Sequence, residues 1–159
     1  MGGRGVLKTR RLGYDGKGQI MFNGPEDDPQ SAFGQLGSVP QILESLVPFV
    51  AEISIIAARD RAGSIVSYDP SRNHHKGGIL HLSTVPSGVP HEAISAAQQA
   101  AASILTRLDY VGVIGVEFFV MEDGSILANE LAPRVHNSGH WTEAACAVSQ
   151  FEQHIRAIC

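Results

Sequence analysis

The sequence predicts an α+β fold, and three observations carry that prediction. Short apolar runs bounded by glycine, proline and acidic residues recur between Gly5 and Val85 and read as strands. One segment after Pro90 places Ile94, Ala97, Ala101, Ile104, Leu105 and Leu108 at spacings of three and four, with one adjacent pair, as a single helical face requires. Asp123-Gly124 separates two further apolar runs and reads as a two-residue hairpin turn. Mixed strands with helices on one side are the α+β pattern.

The elements follow in order. Gly5 to Thr9 reads as a strand, Arg10 to Gly18 as a glycine-rich loop, and Gln19 to Phe22 as the returning strand. An acidic turn leads into a short helix from Gln30 to Leu36, stopped by Gly37. Gln41 to Val47 is a strand broken by Pro48. Ala51 to Arg59 and Ser64 to Tyr68 form a hairpin across Asp60-Arg61-Ala62-Gly63. Asp69 to Gly78 reads as a polar loop and Ile79 to Val85 as another strand. The helix after Pro90 is followed by the hairpin of Gly115 to Leu131, an irregular polar loop to His140, and helix from about Thr142. Ser149 and Glu152 open the last segment as a capping box.

The chain has 159 residues, 43% of them hydrophobic and 18% charged, which is the balance of one globular domain's worth of sequence with a core of its own. A net charge of −4 gives no reason to expect nucleic acid as a partner. No apolar run reaches membrane-spanning length, and no signal peptide is legible. Cys146 and Cys159 therefore read as reduced thiols in a cytoplasmic protein. Both ends read as cut: a strand starts almost at once, and the last helix stops without a C-cap.

The densest chemical signal lies in the hairpin. With Asp123-Gly124 in the turn, Met121 faces Ser125 or Ile126, and Glu117 falls opposite or nearly opposite Glu130. Two such carboxylates ~5 Å apart at an effective dielectric of ~20 repel by about 3 kcal/mol. A hard divalent cation between them, Mg²⁺ above all, relieves that repulsion. The alternative is two separately solvated carboxylates, which the apolar neighbours Val116, Phe118, Phe119 and Leu131 disfavour.

Other stretches are weaker signals. Lys8 with Leu12-Gly13-Tyr14-Asp15-Gly16-Lys17-Gly18 can turn backbone N–H groups and lysines toward an anion, but is equally an ordinary hairpin loop. It is not a Walker A loop. Glu44 to Val47, followed by Glu52, can offer backbone groups to an adenine edge and a carboxylate to a ribose; an exposed strand end is the simpler reading. Arg72-Asn73-His74-His75-Lys76 could hold phosphates or a substrate but reads by default as a solvated loop, and neither this His pair nor His136 with His140 has the company zinc needs. Arg134-Val135-His136-Asn137-Ser138 is rich in hydrogen-bonding groups and directly follows Glu130. An arginine in that place can clamp a phosphoryl group, or the loop can be a salt-bridged structural one.

The order of Lys8, Tyr14-Asp15-Gly16-Lys17-Gly18, Glu44 to Val47, Glu52, Glu117 and Asn129-Glu130 resembles the ATP-grasp enzymes. More narrowly, Leu7 to Gln19 and the run from Asn129 to Thr142 resemble the N5-carboxyaminoimidazole ribonucleotide synthetases of purine biosynthesis, over essentially the whole chain. The resemblance implies an ATP-grasp fold of two lobes with nucleotide between them, a flap lobe over 5–44 and a central lobe over 45–159. It implies an ATP-dependent ligase that makes carboxyphosphate from bicarbonate and passes its carbon to the amine of aminoimidazole ribonucleotide.

By the same resemblance Lys8, Tyr14, Asp15, Gly16, Lys17 and Gly18 hold the ATP phosphates. Glu44, Ser45, Leu46 and Val47 read adenine, Glu52 takes the ribose, and His75 makes a further nucleotide contact. Glu117 and Glu130 hold Mg²⁺ with Asn129 beside them, and Arg134, His136, Asn137 and Ser138 line the bicarbonate and substrate side. A homodimer is the family's usual assembly. Many ATP-grasp enzymes have Asn two residues after the second metal carboxylate; here Ala132 stands there, as in the narrower family. Family members carry an N-terminal α/β domain and a small C-terminal domain that this chain lacks. That leaves a Mg·ATP-binding module without turnover, or a ligase for another substrate, as alternatives.

Overall fold

The computed structural model describes residues 4–11 and 17–159. The chain divides into two compact units, residues 1–48 with 75–79, and residues 49–74 with 80–159.

In the first unit, β1 (Gly5–Thr9) is the centre of a three-stranded antiparallel sheet between β2 (Gln19–Phe22) and β3 (Gln41–Ser45). The β1–β2 connection closes with Thr9 N–H donating to the Gly18 carbonyl at 2.8 Å, where Gly18 takes φ 75°. Between β2 and β3 lies α1 (Pro29–Gln35). Asp28 caps it by accepting from Gln30 N–H at 2.9 Å, Pro29 supplies a preset φ at its first turn, and Gly37 at φ 80° ends it. Alternation splits the sheet into two faces. Gly5, Leu7, Phe22 and Leu43 line an apolar cavity of about 430 Å³ together with Pro29 and Phe33 of α1. On the other face Lys8 Nζ meets Glu44 Oε2 at 2.6 Å. β3 ends at Ser45, so Leu46 and Val47, expected to extend it, lie beyond the ladder.

The second unit is built on a sheet in the order β7-β6-β4-β8-β9, with β5 also paired to β4. The strands are β4 (Ala51–Arg59), β5 (Ile65–Ser67), β6 (Ser71–Lys76), β7 (Ile79–Thr84), β8 (Gly112–Val120) and β9 (Ile126–Ala132). β4 and β8 are almost wholly buried and pair antiparallel over their full lengths. Ile53, Ile55, Ala57, Ile114, Val116, Phe118 and Val120 face α2 (His91–Arg107), which meets them with Ala93, Ala97, Ala101 and Leu105. Three alanines in that stripe let the helix lie close to the sheet.

The other face is divided. One end is apolar, with Ile56, Ala58 and Val113 packed against Ala157 of α4 (Gln150–Ile158). The rest carries Ser54 and Glu117. Helices therefore cover both faces, not one as expected. The final helix is also interrupted: α3 (Thr142–Ala145) ends at Cys146, which is extended, and α4 restarts at the Ser149 cap, whose hydroxyl accepts from Glu152 N–H at 3.2 Å.

The expected polar loop Asp69 to Gly78 contains the strand β6. Its buried positions are Ser71 and Asn73, so its period-two pattern is written in polar residues. Leu108, expected on the buried face of α2, is 60% exposed, whereas Ala93 is fully buried. Among the described residues no helix is long and apolar enough to cross a membrane.

The hairpin turn holds three residues instead of two. Gly124 N–H donates to the Met121 carbonyl at 3.0 Å, Met121 N–H donates to the Ser125 carbonyl at 2.9 Å, and Gly124 has φ 80°. That is a tight turn closed by a left-handed glycine. Asp123 Oδ1 accepts from Ser125 Oγ at 2.6 Å and from Ser125 N–H at 2.9 Å.

Leu105→Ala should lower stability by about 2–5 kcal/mol in urea unfolding. Leu108→Ala should change it by less than about 0.5 kcal/mol; equal losses would contradict this packing. The Ser125 hydroxyl, and then its N–H, hold the Asp123 carboxyl below its usual range. A depressed value in the folded chain stabilises the turn above the ordinary aspartate range, and that contribution disappears as pH falls through the depressed value. An NMR titration should place the Asp123 midpoint below that of a model peptide, and Ser125→Ala should move it back upward.

Candidate functional site

Glu117 and Glu130 are directly opposed on β8 and β9. A bulge makes them so. From the turn the register runs Val120 to Ile126, Phe119 to Leu127 and Phe118 to Ala128, then shifts so that Glu117 meets Glu130. Without that shift Asn129 would face Glu117. The bulge absorbs Asn129 as the extra residue and brings the second carboxylate to the same face as the first.

The two carboxylates differ in setting. Glu130 is exposed, while Glu117 is only 8% exposed. Glu117 Oε1 accepts from Asn73 Nδ2 at 3.3 Å and from Ser54 Oγ at 3.4 Å. Ser71, Ser54, Glu117 and Glu130 are successive register partners across β6, β4, β8 and β9. A polar row thus crosses the sheet, shielded at one end and open at the other. Two opposed carboxylates are a donor set that could hold Mg²⁺, which takes one or two protein carboxylates and completes its octahedron with phosphate and water oxygens. Among the described residues no cluster of three or more such ligands occurs.

The loop after β9 is pinned next to this row. Gln150, fully buried at the start of α4, accepts from His136 N–H at 2.9 Å through Oε1 and donates to the His136 carbonyl at 2.8 Å through Nε2. Both main-chain groups of His136 are therefore held by one side chain. Its ring Nδ1 lies 2.8 Å from Ser138 Oγ. Thr142 Oγ1 donates to the Gly139 carbonyl at 2.7 Å and accepts from Gln150 N–H at 3.0 Å, which locks the loop to α4. Close approach needs two glycines. A Cβ on Gly115 would lie 2.7 Å from His136 Cβ, and one on Gly139 would lie 2.5 Å from Gln150 Oε1.

The remaining sequence-derived residues are placed as follows. Ser138 is fully buried, with its hydroxyl on the His136 ring. Arg134 and Asn137 are exposed, and Arg134 Nη1 donates to the Val135 carbonyl at 2.8 Å. Glu52 shares the face of Ser54 and Glu117, between Asn73 and Phe119; the Phe119 ring stacks on Phe49 with centroids 4.4 Å apart. His75 is exposed on β6. In the first unit Lys8 and Glu44 form their ion pair, Ser45 ends β3, and Lys17 and Gly18 lie in the turn entering β2. Tyr14, Asp15 and Gly16 lie outside the described residues. Sequence reasoning missed Ser54, Asn73 and Gln150. The Ser71/Asn73 alternation was the one available signal for β6; nothing local marks Gln150.

The opposed glutamates and the pinned histidine loop lie in a chain whose family is shown by its sequence. The chain belongs to the ATP-grasp family, whose domain model matches residues 1–151. Its relatives narrow the class. It is 58% identical over 159 residues to the N5-carboxyaminoimidazole ribonucleotide synthase of Brucella melitensis, covering 99% of this chain and 44% of that protein. A crystal structure of the ADP complex of an N5-carboxyaminoimidazole ribonucleotide synthetase matches with TM-score 0.91 at 44% identity, over 98% of this chain and 41% of that one. The Aspergillus clavatus N5-carboxyaminoimidazole synthase, crystallised with ADP and 5-aminoimidazole ribonucleotide, matches with TM-score 0.86 at 32% identity, over 96% and 39% of the two chains. The chain thus spans under half the length of the Brucella relative.

Gln150→Leu should leave both main-chain groups of His136 without their partner and destabilise the second unit by about 1–3 kcal/mol for each group lost. Urea unfolding followed at Trp141 measures this; an unchanged midpoint would show that the amide is not what holds the loop.

Proposed function

We propose that this chain is the nucleotide-binding core of an N5-carboxyaminoimidazole ribonucleotide synthetase. The observation that carries the reading is the direct opposition of Glu117 and Glu130 in a chain of ATP-grasp ancestry. The identity to enzymes of that name supports the choice of reaction. On this reading residues 5–44 form the flap lobe and 45–159 the central lobe. Lys8, Lys17 and the glycine-rich segment around Tyr14, Asp15, Gly16 and Gly18 bind the phosphates of ATP. Glu44 to Val47 read adenine, Glu52 takes the ribose, and His75 adds a nucleotide contact.

Glu117 and Glu130 would hold Mg²⁺, with Asn129 beside them, and the cation would supply charge neutralisation at the phosphates. A bicarbonate oxygen attacks the γ-phosphorus and ADP leaves, giving carboxyphosphate. The carbon then passes to the exocyclic amine of aminoimidazole ribonucleotide, with release of phosphate. His136 and Arg134 orient bicarbonate and stabilise the charge that develops during transfer, a reading supported by their order along the chain just after Glu130. Asn137 contacts substrate, while Ser138 acts through His136. Chemistry of this kind rests on positioning and on exclusion of water from a labile acyl phosphate.

The coverage of under half of the Brucella relative favours a second reading for the chain taken alone: it binds Mg·ATP and completes no turnover. Calorimetric titration with ATP, with and without Mg²⁺, tests the common part of both. We expect magnesium-dependent binding, lost in Glu117→Gln and Glu130→Gln while circular dichroism stays that of the parent. Unchanged magnesium dependence in the folded double variant would remove the metal assignment. Release of ADP on adding bicarbonate and aminoimidazole ribonucleotide would decide between core and complete catalyst.

A further inference from the structure

We propose that Asn73 is a positioning residue for the metal site, setting the rotation of the Glu117 carboxylate; the inference rests on the metal reading above. Asn73 is 4% exposed on β6, and its amide is bonded at both ends. Nδ2 lies 2.6 Å from Ser54 Oγ and 3.3 Å from Glu117 Oε1. Oδ1 accepts from Ser83 Oγ at 3.0 Å and lies 3.4 Å from Ser71 Oγ. The chemistry admits only this orientation of the amide. A carboxylate ionised as a metal ligand only accepts, so the NH₂ end faces Glu117 and Ser83 Oγ donates to the opposite end, while Ser71 Oγ lies between Asn73 Oδ1 and the Ser138 carbonyl at 3.3 Å.

The arrangement has a direction. Ser83 fixes the amide, the amide and Ser54 both donate to Oε1 of Glu117, and these two bonds bias the carboxylate plane about its last torsion. All of these groups belong to the second unit. Carboxylates that bind metals are commonly held by such outer partners, whose loss costs about 10–100-fold in metal affinity. Glu130 is exposed on the edge of the row, so the buried, oriented Glu117 is the fixed half of the pair.

The test is Mn²⁺ binding by electron paramagnetic resonance, together with ATP affinity in EDTA and in Mg²⁺, on this chain. Asn73→Leu keeps size and removes both ends of the network. It should weaken Mn²⁺ binding about tenfold and shrink the magnesium gain in ATP affinity, with the affinity in EDTA unchanged. Ser54→Ala removes one of the two donors and should give a smaller loss in the same direction, so the idea remains testable if Asn73→Leu does not fold. A lowered melting temperature with unaltered Mn²⁺ affinity in either folded variant would make the network structural only and overturn the inference. Magnesium-independent ATP binding by the parent chain would instead remove the metal reading, and this inference with it.

Discussion

The second unit depends on holding two like charges face to face across a β-ladder. Opposed glutamates are unfavourable in any sheet, and here the structure goes out of its way to create the opposition, inserting one residue into β9 so that Glu130 and not Asn129 meets Glu117. Several neighbouring features follow from that constraint. Ser54 is a buried polar residue in a strand that otherwise buries aliphatic ones, Asn73 lies on a strand whose buried positions are all polar, and both supply donors to the shielded carboxylate. The outer carboxylate is left at the solvent side of the row. A sheet with an apolar face toward α2 and a divided face toward α4 gives the pair a rigid floor on one side and an open approach on the other.

The histidine loop is built by a different device. Its backbone is held by one glutamine and its closeness to the sheet is permitted by two glycines. These fix where His136 stands relative to β8 without using any residue expected to touch a ligand. The result is a division of labour: residues at the surface of the site are few and polar, and residues beneath them are chosen for geometry. Gly115 lies two positions before Glu117 on the same strand face, so the loop and the acidic pair share one strand as their reference.

Much of this was legible in the sequence, unevenly. The helix α2 and the hairpin of β8 and β9 are declared by strong periodicity and by Asp123-Gly124, and the facing of Glu117 and Glu130 follows within one residue. That residue of uncertainty is the bulge, which leaves no local mark because Asn129 and Glu130 are adjacent polar residues and either could face Glu117. β6 was hidden because hydrophobic alternation is the usual sign of a buried strand, and Ser71 and Asn73 alternate in polar residues. Ser54 and Gln150 were hidden for a related reason: their partners are 63 and 14 residues away, and only the fold brings them together. Leu108 misled because the helical stripe ends one turn before the periodicity does.

The ion pair of Lys8 and Glu44 has a consequence for selectivity. A lysine that already holds a carboxylate at 2.6 Å offers little to a passing chloride or sulfate, because such an ion must displace a tethered competitor. A half-exposed pair of this kind is worth about 1 kcal/mol or less. On the proposed phosphate-binding role of Lys8, a polyphosphate bringing several charges repays that cost more readily than a chloride or a sulfate does. The contact that any such ligand would have to exchange thus exists before the ligand arrives.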